Sequence, residues 1–176
     1  MKKLLLPAIA AAMLVGCGKQ KPAIDIWTAA GTGNIAATKQ HLAAGTDPNA
    51  KDPAGGGTPL MAAALLGQTE AASLLIGRGA KVNSKNNDGV TALHVAAFFC
   101  QPETAELLLE KGAETKARNN KGETPLDTVA ALWSPQLEGV YVVLAGILHI
   151  SLDLERIKRG RPEMAELLRK NGGLCN

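Results

Sequence analysis

The side chains best suited to catalysis or metal binding are scattered along this 176-residue chain. His41, His94 and His149 do not share a metal-binding spacing such as H-E-x-x-H. The sequence also lacks a G-x-S-x-G nucleophile motif, and the glycine run at 55–57 lacks the Lys-Ser/Thr that completes a phosphate-binding loop. We therefore predict a protein that is not an enzyme and that uses no metal, cofactor or small-molecule substrate.

Three similar heptapeptides indicate a repeated structural unit instead. They are T-P-L-M-A-A-A from Thr58, T-A-L-H-V-A-A from Thr91 and T-P-L-D-T-V-A from Thr124, at a constant spacing of 33 residues. Such a period is typical of a small supersecondary unit that stacks on copies of itself and buries its core between neighbours. Because a stack also exposes one long face, the pattern favours recognition rather than catalysis.

Each heptapeptide carries the signals of a helix start. Its threonine can cap the first free backbone amides, and Pro59 and Pro125 occupy the first helical position, where a missing N–H costs nothing. Leucines follow at helical spacing, and a glycine stands where the second helix of the unit must end. We expect Leu74, Leu75, Leu107 and Leu108 to fill the layer between units.

In these features the chain resembles the ankyrin repeat family. In the best copy, the consensus positions of the family are filled by Gly67, Glu70, Leu74, Leu75, Gly79-Ala80 and Asn83. The resemblance implies an all-α solenoid of about four helix-turn-helix repeats with short hairpin loops, within residues 24–173. The repeats would span about 24–57, 58–90, 91–123 and 124–173, and a helical insertion at 134–160 divides the last one.

Structural roles are expected for the reactive side chains. His94 falls on the histidine of the family's T-x-L-H motif, whose side chain links neighbouring hairpins. Cys100 falls in the turn of its repeat, where we predict a small buried hydrophobic residue. A disulfide with Cys175 is disfavoured, because one helix length of ~15 Å separates the two ends of the layer. His41 is predicted to lie on a helix surface.

The resemblance also implies where a protein partner would bind, because the hairpin tips and the last turn of each first helix contact ligands in ankyrin folds. The hairpin tips include Lys85, Asn87, Asp88, Arg118, Asn120 and Lys121. The corresponding helix turns carry an apolar row, Leu65, Leu66, Phe98, Phe99 and Leu132. We expect this row to be exposed along the concave groove, as contiguous apolar residues at an interface are.

The insertion at 134–160 has no counterpart in an ankyrin repeat. Ser134-Pro135 predicts a helix start, apolar residues then follow at helical spacing, and Asp153 can cap a second short helix. Two interpretations remain open: the insertion covers the bare apolar face of the last repeat or part of the groove, or it binds a partner. A hairpin that dips into a membrane is disfavoured by Asp153 and Glu155, which follow the apolar run closely.

The residues before the repeats predict an export signal. Lys2-Lys3 and the apolar residues 4–15 form a secretory pattern that is too short to span a bilayer, for which ~20 residues are needed. Residues 14–17, Leu-Val-Gly-Cys, resemble the lipobox of bacterial lipoproteins. The resemblance implies a signal peptide at 1–16, a lipid on Cys17 and a short linker to residue 23. Gly18, in place of an aspartate, suggests the outer membrane, facing the periplasm.

The charge balance narrows the class of partner. Without Lys2 and Lys3 the chain has 17 basic and 16 acidic residues, which argues against a nucleic-acid binder. The same near-neutral charge disfavours electrostatic adhesion to anionic lipids, so we predict that the protein contacts the membrane through its lipid anchor only. We predict an envelope-anchored module that binds and supports or regulates an unidentified partner protein. The sequence leaves open an alternative, an immunity-type protein that neutralises a toxic protein in the periplasm.

Overall fold

A computed structural model describes residues 22–172 of the chain, and these residues form α-helices and loops without a β-strand. The helices are α1 (Ile26–Gly31), α2 (Ile35–Ala43), α3 (Pro59–Leu65), α4 (Thr69–Gly77), α5 (Ala92–Phe98), α6 (Pro102–Glu110), α7 (Pro125–Ala130), α8 (Pro135–Leu148) and α9 (Leu154–Lys170). The predicted signal peptide, the predicted lipidation site Cys17 and Cys175 lie outside the described residues.

The helices pack in two layers of a linear stack. The first helices of successive repeats, α1, α3, α5 and α7, contact one another in that order, and α2, α4, α6 and α9 form the second layer. Short turns join α1 to α2, α3 to α4 and α5 to α6. The prediction of an all-α helical-repeat solenoid is confirmed.

The motif threonines begin the first helices. The side-chain oxygens of Thr58, Thr91 and Thr124 each accept a hydrogen bond from the backbone N–H three residues later, at 3.3 to 3.4 Å. The first repeat lacks the motif, and there the carboxylate of Asp25 accepts a hydrogen bond from the N–H of Thr28. This bond lowers the pKa of the Asp25 carboxyl. The repeat sequence thus fixes where each helix pair starts.

Leucines and alanines fill the space between repeats. The fully buried leucines are Leu60, Leu93 and Leu126 in the first helices and Leu75, Leu108 and Leu168 in the second. Buried alanines in both layers allow the helices to approach closely. Leu74 and Leu107 are only half-buried, because they lie about 100° around the helix from the fully buried leucine that follows them.

Side chains in the loops fasten each repeat to the next. The side chain of Asn49 makes two hydrogen bonds to the second repeat: Nδ2 donates to the carbonyl of Gly79, and Oδ1 accepts the N–H of Lys81. Asn83 makes the equivalent bonds to the third repeat, with the carbonyl of Gly112 and the N–H of Glu114. The loops therefore lie parallel along one side of the stack.

The last repeat departs from the pattern after α7. The chain leaves the helix at Ala131 and forms α8, which stands outside both layers. The sequence predicted a short helix after Asp153, but the helix that begins there, α9, is continuous over 17 residues. Ile157 and Arg161 are both buried, and this packing holds the turn before Pro162 in helical conformation.

At 17 residues, α9 is about two helical turns longer than α2, α4 and α6, and these additional turns pack on the loop between α5 and α6. A β-carbon at position 160 would lie 3.4 Å from Cβ of Cys100, so Gly160 permits this close approach. Cys100 has a left-handed φ of 50°, where the first two repeats have Gly33 and Gly67. The thiol is buried and burial raises its pKa to about 11, as expected for a small hydrophobic residue without nucleophilic reactivity.

His41 is buried, and the prediction that it lies on a helix surface is wrong. Its imidazole Nε2 lies 2.7 Å from the carbonyl of Ile24, and Nδ1 lies 3.3 Å from the hydroxyl of Thr46. The segment before α1 folds over α2 at this point. That contact joins residues 17 positions apart and leaves no periodic signal in the sequence.

Truncation of Leu75 tests the inter-repeat core. Leu75→Ala should lower the free energy of unfolding by ~2–5 kcal/mol, because it leaves a cavity between the second helices. Leu74→Ala removes the same atoms from the half-buried neighbouring position and should cost less. Urea unfolding followed by circular dichroism measures both. Equal losses for the two variants would contradict this assignment of the core.

Candidate functional site

Aromatic side chains meet where α8 crosses the end of α5. The ring of Tyr141 stacks on Phe98 at a centroid distance of 4.5 Å and on Trp133 at 5.5 Å. Phe99 contacts Tyr141 edge-on at 5.9 Å. Tyr141 is the buried residue of α8, so this cluster attaches the helix to the third repeat.

Arg161 completes the attachment of α8. The hydroxyl of Tyr141 donates to the carbonyl of Phe98 at 2.6 Å and accepts a hydrogen bond from Nη1 of Arg161 at 2.9 Å. Nη2 of Arg161 donates to the carbonyls of Thr128 and Ala131. Burial raises the pKa of Tyr141 to about 12, so the hydroxyl keeps its proton at neutral pH. One guanidinium therefore joins α8, α9 and the end of α7.

The remainder of α8 is apolar and accessible. Its exposed large side chains are Val140, Val142, Val143, Ile147 and Leu148, and Ile147 is 65% exposed. No Asp, Glu, Lys or Arg occurs between Gly139 and Leu152. The insertion thus covers the aromatic end of the third repeat with one face and leaves apolar residues open on the other. A contiguous exposed apolar patch of this kind usually belongs to an interface.

The open side of α8 forms one wall of a cleft of about 470 Å³, which we call the α5–α8 cleft. Its apolar lining consists of Val90, Val95, Phe98, Phe99, Val140 and Leu144. Its polar lining consists of Asp88, His94, Asn119, Asn120, Lys121, Glu123 and Thr128. An apolar centre within a polar rim is the usual anatomy of a protein interface.

The predicted hairpin-tip residues divide between structural roles and this cleft. The ammonium of Lys85 donates to the carbonyl of Arg118 at 2.9 Å, as Lys51 does to Lys85 one repeat earlier. Nδ2 of Asn120 donates to the carbonyl of Asn87 at 3.0 Å. These bonds connect successive hairpins. The tip residues that line the cleft are Asp88, Asn120 and Lys121.

The predicted apolar row is not one continuous exposed surface. Phe99 is 5% exposed beneath Tyr141, so the expectation that it faces solvent is wrong, although both Phe99 and the half-buried Phe98 line the α5–α8 cleft. The cause is α8, whose position could not be deduced from the repeat period.

The leucines of the row lie elsewhere. Leu132 is 91% exposed, but it follows the end of α7 and lines a cleft with Arg161. Leu66 is half-buried and lines another cleft with Arg156, and Leu65 is half-buried against the core. The structure therefore does not bring these leucines into the cleft that contains Phe98.

His94 lies between the motif threonine and the next hairpin, as the family resemblance implied. Nδ1 accepts the backbone N–H of Thr91 at 3.2 Å, so Nε2 carries the proton and donates to the carbonyl of Glu123 at 3.0 Å. Burial lowers the pKa of His94, which keeps the ring neutral at pH 7. Both ring nitrogens are occupied by these structural contacts.

Two further findings concern metals and membranes. Within residues 22–172, no three or more histidine, cysteine or carboxylate side chains are arranged to hold a metal ion. Over the same range, every helix is too short or too polar to cross a bilayer.

The period, the threonine caps and the fastened hairpins together match a known repeat family. Residues 26–119, more than half of the chain, match the family profile described as Ankyrin repeats (3 copies). The chain belongs to the ankyrin repeat family. Ankyrin repeats are generally protein–protein interaction modules rather than enzymes. The fourth repeat of this ankyrin protein, with α8, lies beyond the matched residues.

A relative in Schizosaccharomyces pombe (strain 972) shows how far the similarity extends. Ankyrin repeat-containing protein P1E11.10 is 37% identical over 67 residues, which is 38% of this chain. The chain spans about a third of that relative, since the match covers 32% of its length. The similarity supports the shared repeat fold.

Removal of one hydroxyl tests the attachment of α8. Tyr141→Phe should lower the free energy of unfolding by ~1–3 kcal/mol, because the Phe98 carbonyl and Nη1 of Arg161 lose a buried partner. Val142→Ala changes an exposed neighbour in the same helix and should stay within ~0.5 kcal/mol of wild type. Urea unfolding monitored by tryptophan fluorescence compares them. A Tyr141→Phe protein as stable as wild type would argue against this contact.

Proposed function

We propose that this ankyrin repeat protein is a recognition module whose α5–α8 cleft accepts an apolar segment of a partner protein. The observation that carries the proposal is that Val140 and Leu144 line an open cleft with Phe98 instead of closing on it. Removing such apolar surface from water is the main favourable term in protein association, at ~25 cal/mol per Å².

The rim of the cleft supports a polypeptide ligand. Asp88 and Lys121 carry opposite charges on this rim, so a bound chain can place a charged group of either sign beside it. Polar groups around an apolar centre fix the register of a bound chain, while the centre supplies most of the affinity. A partner segment with one or two large apolar side chains between polar residues fits this arrangement.

We further propose that the module is tethered in a bacterial envelope by a lipid on Cys17, at the periplasmic side of the outer membrane. The support is the lipobox-like Leu-Val-Gly-Cys at 14–17 behind a basic and apolar start. At this location the module would support or regulate a resident envelope protein. An immunity-type role, the alternative that the sequence leaves open, would require a toxic partner and much tighter binding.

A pair of matched substitutions tests the cleft. Val140→Asp places a charge in its apolar wall, whereas Val142→Asp places the same charge on the same helix outside the cleft. Both positions are about half-exposed, so both variants should fold with the helical circular dichroism of wild type. Val140→Asp should lose ~2 kcal/mol or more of binding energy, roughly 30-fold in affinity.

The partner for this measurement is first identified by crosslinking in intact envelopes, pull-down and mass spectrometry. Its affinity for wild type, Val140→Asp and Val142→Asp is then measured by titration with the purified partner. Unchanged binding by Val140→Asp would exclude the cleft, and equal losses in both variants would indicate a general effect of charge on α8.

Substitution of the predicted lipidation site tests the tether. Cys17→Ser removes the thiol to which the lipid would be attached. In a Gram-negative host, the variant should no longer incorporate radiolabelled palmitate and should leave the membrane fraction or remain unprocessed. Cys100→Ser, a change of the buried structural cysteine, should incorporate palmitate as wild type does. Palmitate labelling of Cys17→Ser at the wild-type level would rule out the anchor.

A further inference from the structure

A second groove lies between α9 and the segment that follows α7, and it shares no lining residue with the α5–α8 cleft. We call it the α9 groove; its volume is about 370 Å³. Its charged lining residues are Lys158, Arg161 and Arg169, and the other residues that line it are uncharged. A concave surface lined by one sign of charge concentrates ligands of the opposite sign.

Arg161 is recessed in this groove and has no carboxylate partner among the residues that the structure describes. Its side chain is 4% exposed, and a guanidinium this deeply buried is normally paired with a carboxylate. Its hydrogen bonds go instead to a tyrosine hydroxyl and two backbone carbonyls. Among residues 22–172, Nε of Arg161 has no hydrogen-bond acceptor, and no carboxylate forms an ion pair with it.

Lys158 and Arg169 extend the positive charge along α9. Eleven residues of helix separate them, which corresponds to ~16 Å. The acidic residues Glu163 and Glu166 of the same helix do not line the groove, and Glu166 forms an ion pair with Lys170. An extended polypeptide covers the same distance with about five residues.

Apolar surface accompanies the charges. The groove is also lined by the exposed side chain of Leu132 and by Trp133, Pro162 and Ala165. The ammonium of Lys158 lies 6.0 Å from the centre of the Trp133 ring, so a cation and an aromatic face stand side by side. A complementary ligand therefore has both acidic and apolar groups.

We propose that the α9 groove binds an acidic polypeptide segment in which carboxylate and apolar side chains alternate. The carboxylates pair with Lys158 and Arg169, and one carboxylate compensates the charge of Arg161. A carboxylate side chain that protrudes from a peptide can reach the recessed Arg161, whereas the flat surface of a bilayer cannot. Inorganic phosphate would leave Leu132 and Trp133 uncovered. The proposal is independent of the α5–α8 cleft, because the two sites have separate linings.

Fluorescence polarisation tests this site with a defined probe. The probe is a fluorescein-labelled hexapeptide of alternating leucine and glutamate, and its counterpart with lysine in place of glutamate is the control peptide. Lys158→Gln and Arg169→Gln each remove one groove charge. Arg159→Gln and Lys170→Gln remove the same charge one residue away, at exposed positions outside the groove.

The acidic peptide should bind the wild-type protein more tightly than the lysine peptide does. Each groove variant should weaken binding by about two- to five-fold, as expected for loss of one accessible ion pair, and the double variant by about ten-fold. The two control variants should bind as wild type does. Val140→Asp should also leave this affinity unchanged, which separates the groove from the proposed partner cleft.

Four outcomes would overturn the proposal. The first is that the lysine peptide binds as well as the acidic peptide. The second is that the control variants weaken binding as much as the groove variants, which would indicate general charge attraction. Inorganic phosphate at the peptide's own concentration displaces the peptide, which would indicate a simple anion site. Vesicles of phosphatidylglycerol bind through Lys158 and Arg169 while the peptide does not, which would assign the groove to lipid.

Discussion

The burial of each helix pair against the next is the constraint on which this structure depends. A single repeat exposes Leu75 or Leu108 to water, and the following repeat covers it. In the fourth repeat the chain leaves this pattern at Ala131, forms α8 over the aromatic end of α5, and returns through the two extra turns of α9.

The repeats were predictable because their signals are local and recur. The threonine caps at Thr58, Thr91 and Thr124 and the buried leucines follow from the sequence of one helix and its 33-residue period. The exposure of Phe99 was not predictable in this way. It depends on Tyr141, which is 42 residues away and belongs to a segment without a repeat counterpart. The same reason applies to Arg161, whose burial depends on contacts with α7 and α8 at once.

Polarity alone did not separate the residues that line the cleft from those with structural roles. Lys85 and Asn120 were predicted to face a partner, yet the side chain of each donates a hydrogen bond to a backbone carbonyl of a neighbouring hairpin. A signal for this role existed in the sequence, because Lys51 and Lys85 recur 34 residues apart, as Asn49 and Asn83 do. A polar side chain that recurs with the repeat usually serves the repeat, whereas Asp88 and Lys121, beside the insertion, line its cleft.

Because α8 is attached to the stack through Tyr141, we expect this helix to open and close more often than the repeats unfold. The helix contributes one fully buried side chain, Tyr141, with the partly buried Leu137 and Leu144, whereas the second and third repeats are packed on both sides through buried leucines and alanines. Its backbone amides should therefore exchange with solvent through a local opening that leaves the repeats folded. The wall of the α5–α8 cleft would then move on a faster timescale than its floor. The rate at which a partner enters the cleft would depend on that opening as well as on diffusion.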